Sequence, residues 1–243
     1  MNATDNIWKP QRGSQMAFHE CDVFEMLFGG AAGGAKSESL IVEATRYTNE
    51  PSYHAVLFRR SFPELQSSLV PRAYDIFSGM ATARNQGLKW TFKSGAVIEF
   101  AHLYRDEDKE KHKSSEYDYI AFDELTSFPE TSYNYLFSRC RGKNPNIKRF
   151  VRAGSNPTGI GWSWVKERFV TPDMELVEPV SEIPYEFACG WKYRGRTYTD
   201  FDMLPEGFDG KGEPVFSDET YTVYKEKKSG LTRAFIPALS NAP

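Results

Sequence analysis

Gly29-Gly30-Ala31-Ala32-Gly33-Gly34-Ala35-Lys36-Ser37 is the stretch whose reading decides the fold. It follows an apolar run, Val23-Phe24-Glu25-Met26-Leu27-Phe28, that reads as a buried strand. It precedes Leu40, Ile41, Ala44 and Tyr47, whose spacing marks one face of a helix. Strand, glycine-rich loop, Lys-Ser and helix is the layout of a P-loop. A phosphate chain carries several negative charges and needs many donors at once. Glycines let the backbone fold tightly, so that N–H groups from Gly30, Ala31, Ala32, Gly33, Gly34 and Ala35 face the phosphates. The helix N-terminus adds its dipole. Lys36 is placed to reach the β- and γ-phosphates, and the Ser37 hydroxyl to ligate Mg²⁺. Ala35 stands where G-x-x-x-x-G-K-[ST], read from Gly30, has its last glycine. A methyl group is tolerated there if φ is negative. The plain alternative is a glycine-rich turn feeding a helix, with no ligand.

A second landmark lies downstream. Tyr119-Ile120-Ala121-Phe122 reads as a buried strand and ends in Asp123-Glu124. An apolar strand ending in an acidic pair is a Walker B pattern. Asp123 is the expected second holder of Mg²⁺, opposite Ser37. Glu124 is the expected general base that activates an attacking water. Two acids at a strand end are common by chance, but their placement after a P-loop is far more specific.

Other segments extend this picture outward. Gln15, ahead of Phe18, sits in a polar segment that can fold over a nucleotide base and read an adenine edge, or remain a free arm. His54-Ala55-Val56-Leu57-Phe58 reads as a strand with Arg59 and Arg60 at its carboxyl end, where ligands of open α/β sheets lie. Phe62 to Phe77 reads as a helix that Pro71 breaks or kinks. Trp90–Phe92 and Val97–Phe100 flank a Gly-bearing turn and predict a hairpin. The mixed charges from Arg105 to Lys113 predict an exposed loop. Phe128 to Phe137 reads as a helix followed by Arg139 and Arg141. Arg149–Ala153 predicts a strand running into Ser155-Asn156, a polar pair suited to sensing a γ-phosphate or simply to an Asn-Pro turn. Residues 191–198 predict a small hairpin, and Asp200, Asp202, Asp209 and Asp218 read as solvated loop acids.

The chain has 243 residues, a net charge of −3 and 26% charged residues, as expected of one substantial core with a small appendage. No apolar run reaches the roughly 20 residues that span a membrane. Nothing at the N-terminus reads as a signal peptide. Cys21, Cys140 and Cys189 are scattered, with neither metal-ligand nor disulfide spacing, which suits a reducing cytoplasm. The acidic balance disfavours a whole-surface nucleic-acid binder and leaves room for a local basic patch.

Taken together, Gln15-Met16-Ala17-Phe18, the loop from Phe28 to Ser37, Leu57–Leu65, Phe122–Glu130, Ser138-Arg139-Cys140-Arg141 and Ser155-Asn156-Pro157 resemble the ATPase half of a large terminase, the DNA-packaging motor of tailed bacteriophages. The resemblance spans roughly residues 8–170 and continues weakly to Ile236-Pro237-Ala238. It implies an α/β P-loop NTPase of the additional-strand, catalytic-glutamate, RecA-like type, with a mostly parallel central sheet flanked by helices. It divides the chain into a core over residues 1–175 and a small C-terminal subdomain over 176–243, with the family's nuclease domain absent. It implies ATP and Mg²⁺ as ligands and ATP hydrolysis without DNA cleavage. It implies double-stranded DNA, the procapsid portal protein and the small terminase subunit as partners in the host cytoplasm. A homo-oligomeric ring, expected to be a pentamer, forms when active, and a monomer is allowed in solution. Gln15 becomes the adenine reader and Asn156 a γ-phosphate sensor. Charge building on the γ-phosphoryl oxygens calls for an arginine finger, which is Arg59 or Arg60 if it acts within the subunit and Arg139 or Arg141 if it acts from a neighbour. A P-loop phosphotransferase and a nucleotide-gated assembly protein are the competing readings.

Overall fold

A computed structural model describes residues 8–30, 35–193, 196–198 and 213–238. In chain order the elements are α1 (Ser14–Glu20), β1 (Glu25–Gly30), α2 (Lys36–Glu43), β2 (His54–Arg59), α3 (Phe62–Ser67), α4 (Leu69–Phe77), β3 (Ala81–Arg84), β4 (Lys89–Phe92), β5 (Val97–His102), β6 (Tyr119–Asp123), α5 (Glu130–Phe137), β7 (Phe150–Ser155), α6 (Trp162–Val165), β8 (Val177–Tyr193), β9 (Arg196–Tyr198), β10 (Glu213–Glu226) and β11 (Thr232–Ala238). No helix among the described residues is long and apolar enough to cross a membrane.

All described strands join one sheet in the order β3-β4-β5-β2-β6-β7-β1-β11-β10-β8-β9. From β5 to β11 every neighbouring pair is parallel. Antiparallel strands extend both flanks. The central strands alternate strictly between two cores. Met26 and Phe28 face one core, and Leu27 faces the other. Ala55 and Leu57 alternate in the same way with Val56 and Phe58, and Tyr119 and Ala121 with Ile120 and Phe122. Strands buried on both faces must be apolar throughout, which is why these runs carry almost no polar residues. The first core lies under α1, α2 and α4, and the second under α5 and α6. Burying each large side chain there contributes about 1.5–3 kcal/mol.

Strand β7 lies between β1 and β6, so one inserted strand separates the glycine-loop strand from the strand that carries the acidic pair. This is the additional-strand arrangement of the RecA-like P-loop class. The carboxyl ends of β1, β2, β6 and β7 therefore point the same way, and their loops share one end of the sheet.

The structure differs from the sequence reading in several places. In the described part of the segment before β1 there is no free arm, because Ser14–Glu20 is helical and buries Gln15, Ala17 and Phe18. The helix expected over Phe62–Phe77 is two helices that part at Ser68, three residues before Pro71. Proline clashes with the carbonyl four residues earlier, here Ser67, and the break falls there. The charged stretch Asp106–His112 is a short 3₁₀ helix, with Lys109–Asp106 and Lys111–Asp108 pairs on its surface. Strand β3, unforeseen, edges the hairpin of β4 and β5.

Beyond residue 175 strand direction changes, but hydrogen bonding to the sheet continues. β11 pairs in parallel with β1, from Glu25↔Arg233 to Gly30↔Ala238. The expected hairpin at 191–198 is the end of a longer one, because β8 runs for 17 residues. β8 and β10 pair from Val177↔Glu226 to Lys192↔Glu213, whereas β10 meets β11 only at Val223–Lys225. The two strands thus leave the sheet as a ribbon. Arg12 on the α1 side pairs with Glu186 on this ribbon. Asp218 lies exposed on β10, and Asp200, Asp202 and Asp209 fall outside the described residues.

Candidate nucleotide-binding site

Lys36 and Ser37 open α2, directly beyond the glycine loop. Ala31, Ala32, Gly33 and Gly34 lie outside the described residues. Gly30 ends β1 with φ 138°, and Ala35 leaves the loop with φ 50° and ψ 28°. The condition of negative φ at Ala35 is therefore not met. Its methyl sits in the left-handed region, at a cost of about 1–2 kcal/mol. That is the conformation for which glycine is the ordinary choice, and it explains the glycine in the consensus.

Lys36 is 7% exposed, and its ammonium donates to the Gly30 carbonyl at 3.5 Å. Burial lowers its pKa, and the carboxylates of Glu124 and Asp123 oppose that shift. The lysine is thus held across the loop it closes, within electrostatic reach of both acids. Ser37 Oγ donates to Asp123 Oδ1 at 2.8 Å. Asp123 is 2% exposed at the tip of β6. Desolvation raises its pKa, while the charge of Arg59 and the Ser37 hydrogen bond pull it down. Gly154 of β7 makes this approach possible. A Cβ there would lie 3.3 Å from Lys36 Cβ and 3.8 Å from Asp123 Oδ1, so any side chain would crowd the helix start.

Glu124 follows in the left-handed region, with φ 57° and ψ 59°. The chain turns sharply out of the strand there, leaving Asp123 buried and Glu124 half-buried beyond it. Backbone strain at a non-glycine residue of this kind concentrates at functional sites. Ser155, at the tip of β7, holds the same turn from the other side. Its Oγ lies 2.8 Å from Thr126 Oγ1 and accepts from the Thr126 N–H at 3.2 Å. Asn156 Oδ1 is buried without a partner among the described residues. With the amide turned over, Nδ2 occupies that position as an unused donor.

Mg²⁺ takes oxygen ligands, favouring carboxylates and, in P-loop proteins, the loop hydroxyl. A Ser hydroxyl and a buried carboxylate 2.8 Å apart, beside a lysine that closes a glycine loop, fit that donor set.

The remaining sequence candidates fall in different places. Arg59 ends β2, and its Nη1 pairs with Asp123 Oδ2. Arg60 turns away and donates to the Leu103 carbonyl at 2.7 Å. Gln15 is buried, with its Oε1 accepting from the Gln11 N–H and its Nε2 donating to Ser39 Oγ at 3.0 Å. Its amide is thus engaged by the protein itself. Arg139 and Arg141 are not brought to the site. The Arg139 carbonyl accepts from Tyr117 N–H, ahead of the first residue of β6. That is six residues before Asp123, or roughly 20 Å at strand rise. Arg139 donates to the Lys113 carbonyl, and Arg141 lies 3.7 Å from Glu116. A helix that follows a parallel strand carries the chain back to the other end of the sheet, and residues just after α5 must lie there.

The sequence reading missed Ser39 and Thr126, which bond to Gln15 and Ser155, because their roles depend on contacts across the fold. It also missed Glu25, a buried carboxylate at the opposite end of β1. Glu25 accepts from Tyr133 Oη at 2.6 Å and pairs with Arg168 and Arg233.

No protein-family model matches the sequence, and comparison with curated proteins finds no match. Solved structures do match. The large terminase of a thermophilic bacteriophage superposes with a TM-score of 0.50 at 15% identity, over 67% of this chain and 43% of that one. The chain thus aligns with less than half of that terminase's length. The N-terminal domain of the DNA-packaging ATPase of bacteriophage phi29 matches with a TM-score of 0.45 at 15% identity, over 66% of this chain and 87% of that one. The large terminase ATPase domain of Thermus phage P74-26 matches with a TM-score of 0.46 at 16% identity, over 65% and 69% of the two chains. The inserted strand β7, the loop-bearing β1 and the acid-tipped β6 belong to this architecture, and the chain has the fold of a large terminase ATPase domain.

Proposed function

We propose that this chain is the ATP-hydrolysing motor part of a DNA-packaging terminase. The observation that carries the reading is the meeting of Ser37 and Asp123 at 2.8 Å, with Lys36 beside them and Glu124 next in the chain. The terminase fold supports the same reading.

In this mechanism the glycine loop and the N-terminus of α2 bind the triphosphate through backbone N–H groups. Lys36 holds the β- and γ-phosphates as a point charge. Ser37 and Asp123 would hold Mg²⁺, which supplies neutralisation of phosphate charge when bound. Glu124, turned clear of the strand, orients a water in line with the γ-phosphorus and takes its proton. Asn156, tied through Ser155 to the turn after Glu124, donates to the γ-phosphate and transmits its loss to that turn. Arg59 supplies further positive charge from the same chain. Glu124 favours water over a second substrate as acceptor, which separates this reading from a phosphotransferase. Double-stranded DNA, a portal protein, a small terminase subunit and a ring of copies, expected to be five, complete the proposed machine.

Phosphate release from ATP, with and without double-stranded DNA, tests the proposal. Hydrolysis that Glu124→Gln lowers by about 10²-fold or more is the expected result. Binding of ATP without hydrolysis in any DNA- or portal-containing mixture would overturn it in favour of a nucleotide-gated assembly protein.

A further inference from the structure

Both oxygens of the Asp123 carboxylate are occupied by donors of the chain itself. Oδ1 accepts from Ser37 Oγ, and Oδ2 pairs with Arg59 Nη1. Asp123 is 2% exposed, so its charge has little water to turn to. A buried carboxylate left unpaired is strongly unfavourable, and Arg59 balances it. Yet Asp123 and Ser37 are also the residues that would hold a divalent cation. A carboxylate oxygen already committed to a guanidinium has less to offer a metal ion. The two cations compete for one buried anion.

Arg59 has a second place to go. Its Nε lies 3.7 Å from Glu64 Oε2, and Glu64 is 50% exposed on α3. Ser61 caps that helix by accepting from Glu64 N–H at 3.4 Å, so Glu64 stands at a fixed turn of chain beyond β2. The guanidinium thus spans a buried carboxylate on one side and an exposed one on the other. Losing the first contact leaves it tethered by the second, at the rim of the site.

We propose that Arg59 is a resident counter-cation of Asp123, exchanged for the divalent metal when metal–nucleotide enters, and that this exchange frees its guanidinium for the phosphate oxygens. The proposal rests on the nucleotide-site reading above. It makes Arg59 a sensor of metal–nucleotide rather than of nucleotide alone. Metal-free nucleotide leaves the Arg59–Asp123 pair intact. Free metal without nucleotide binds weakly, because it must displace the arginine without phosphate to receive it.

Binding of Mn²⁺ alone, followed by electron paramagnetic resonance without nucleotide, tests the competition. Removing one close positive charge in Arg59→Ala should tighten Mn²⁺ binding by about tenfold or more. The gain should vanish in the Arg59→Ala/Asp123→Asn double variant. Folded Arg59→Ala protein that binds Mn²⁺ no tighter than the unmodified chain would overturn the proposal. A second measurement avoids the variant's folding altogether. In the unmodified chain with ¹⁵N-labelled arginine, the Arg59 Nε–H resonance should move on adding ADP with Mg²⁺ and stay in place with ADP alone. The same resonance position in both ligand states would sink the exchange. If ADP does not bind in either condition, the nucleotide reading fails, and the Mn²⁺ comparison still decides whether Arg59 shields Asp123.

Discussion

Gln15 Nε2 donates to Ser39 Oγ at 3.0 Å, and Ser39 Oγ in turn donates to the carbonyl of Ala35 at 3.0 Å. Four residues on, His19 Nδ1 meets Glu43 Oε2 at 3.0 Å. One face of α1 is thereby zipped to one face of α2 with equal spacing. The polar helix ahead of the strand braces the residue at which the glycine loop ends. Because the protein already engages its amide, Gln15 is expected to act on the loop through Ser39. Gln15→Ala is therefore expected to weaken ATP and GTP binding alike, and to cost about 1–2 kcal/mol of stability by leaving buried partners unmet. Competition binding of the two nucleotides and denaturant titration check this. A loss confined to ATP would return Gln15 to direct reading of adenine.

Lys36 and Glu124 separate binding from chemistry. If Lys36 holds the terminal phosphates as proposed, Lys36→Ala should abolish most nucleotide affinity. Glu124→Gln keeps the shape of the turn and should retain affinity while lowering turnover by about 10²-fold or more, the usual scale for a general base. Calorimetric binding paired with a phosphate-release assay distinguishes the two, and unaltered turnover in Glu124→Gln would remove Glu124 from that role.

Ala35 carries strain that can be read as stability. Its φ of 50° suits glycine. Ala35→Gly should stabilise the chain by about 0.5 kcal/mol, the relief of strain being partly offset by the freer unfolded chain. Ala35→Val, with a branched side chain in the same conformation, should destabilise it by more than about 1 kcal/mol. Equal midpoints of urea unfolding for all three proteins would show that the loop relaxes elsewhere.

Glu99 gives the chain an acid limb. Its Oε2 lies 3.2 Å from His54 Nε2 and its Oε1 accepts from Lys89 Nζ at 2.8 Å, and these partners lower its pKa from 4.5 to about 2 against the opposing effect of burial. A carboxyl group with a depressed folded-state pKa stabilises above its unfolded pKa and loses that contribution as pH falls through the folded value. The stability due to Glu99 should be whole at pH 6 and decline between about pH 4.5 and 2. Glu99→Gln should lower stability at pH 6 and flatten that part of the profile. Parallel curves for the two proteins from pH 6 to 2 would assign the acid sensitivity to other carboxylates.

What the sequence determined about this protein is local and contiguous. Runs such as Val56-Leu57-Phe58 and Ile120-Ala121-Phe122 can be apolar at every position only if both faces of the strand are covered, and that points to a parallel sheet between helices. Lys36-Ser37 and Asp123-Glu124 are legible because each is fixed by the element that ends or begins there. Tertiary structure alone decided the rest. The pairing of Arg59 with Asp123 joins residues 64 positions apart, and Gln15 and Ser39 are 24 apart. A burial pattern says which face a residue takes, but not which strand lies beside it. So the insertion of β7 between β1 and β6 could be expected only from the family resemblance. Tertiary structure also places Arg139 and Arg141, expected to act on a neighbouring copy, at the end of the strands opposite their own chain's Asp123. The sequence also hid the length of the β8–β10 ribbon, because exposed two-stranded pairing draws on backbone hydrogen bonds that leave no hydrophobic period to read.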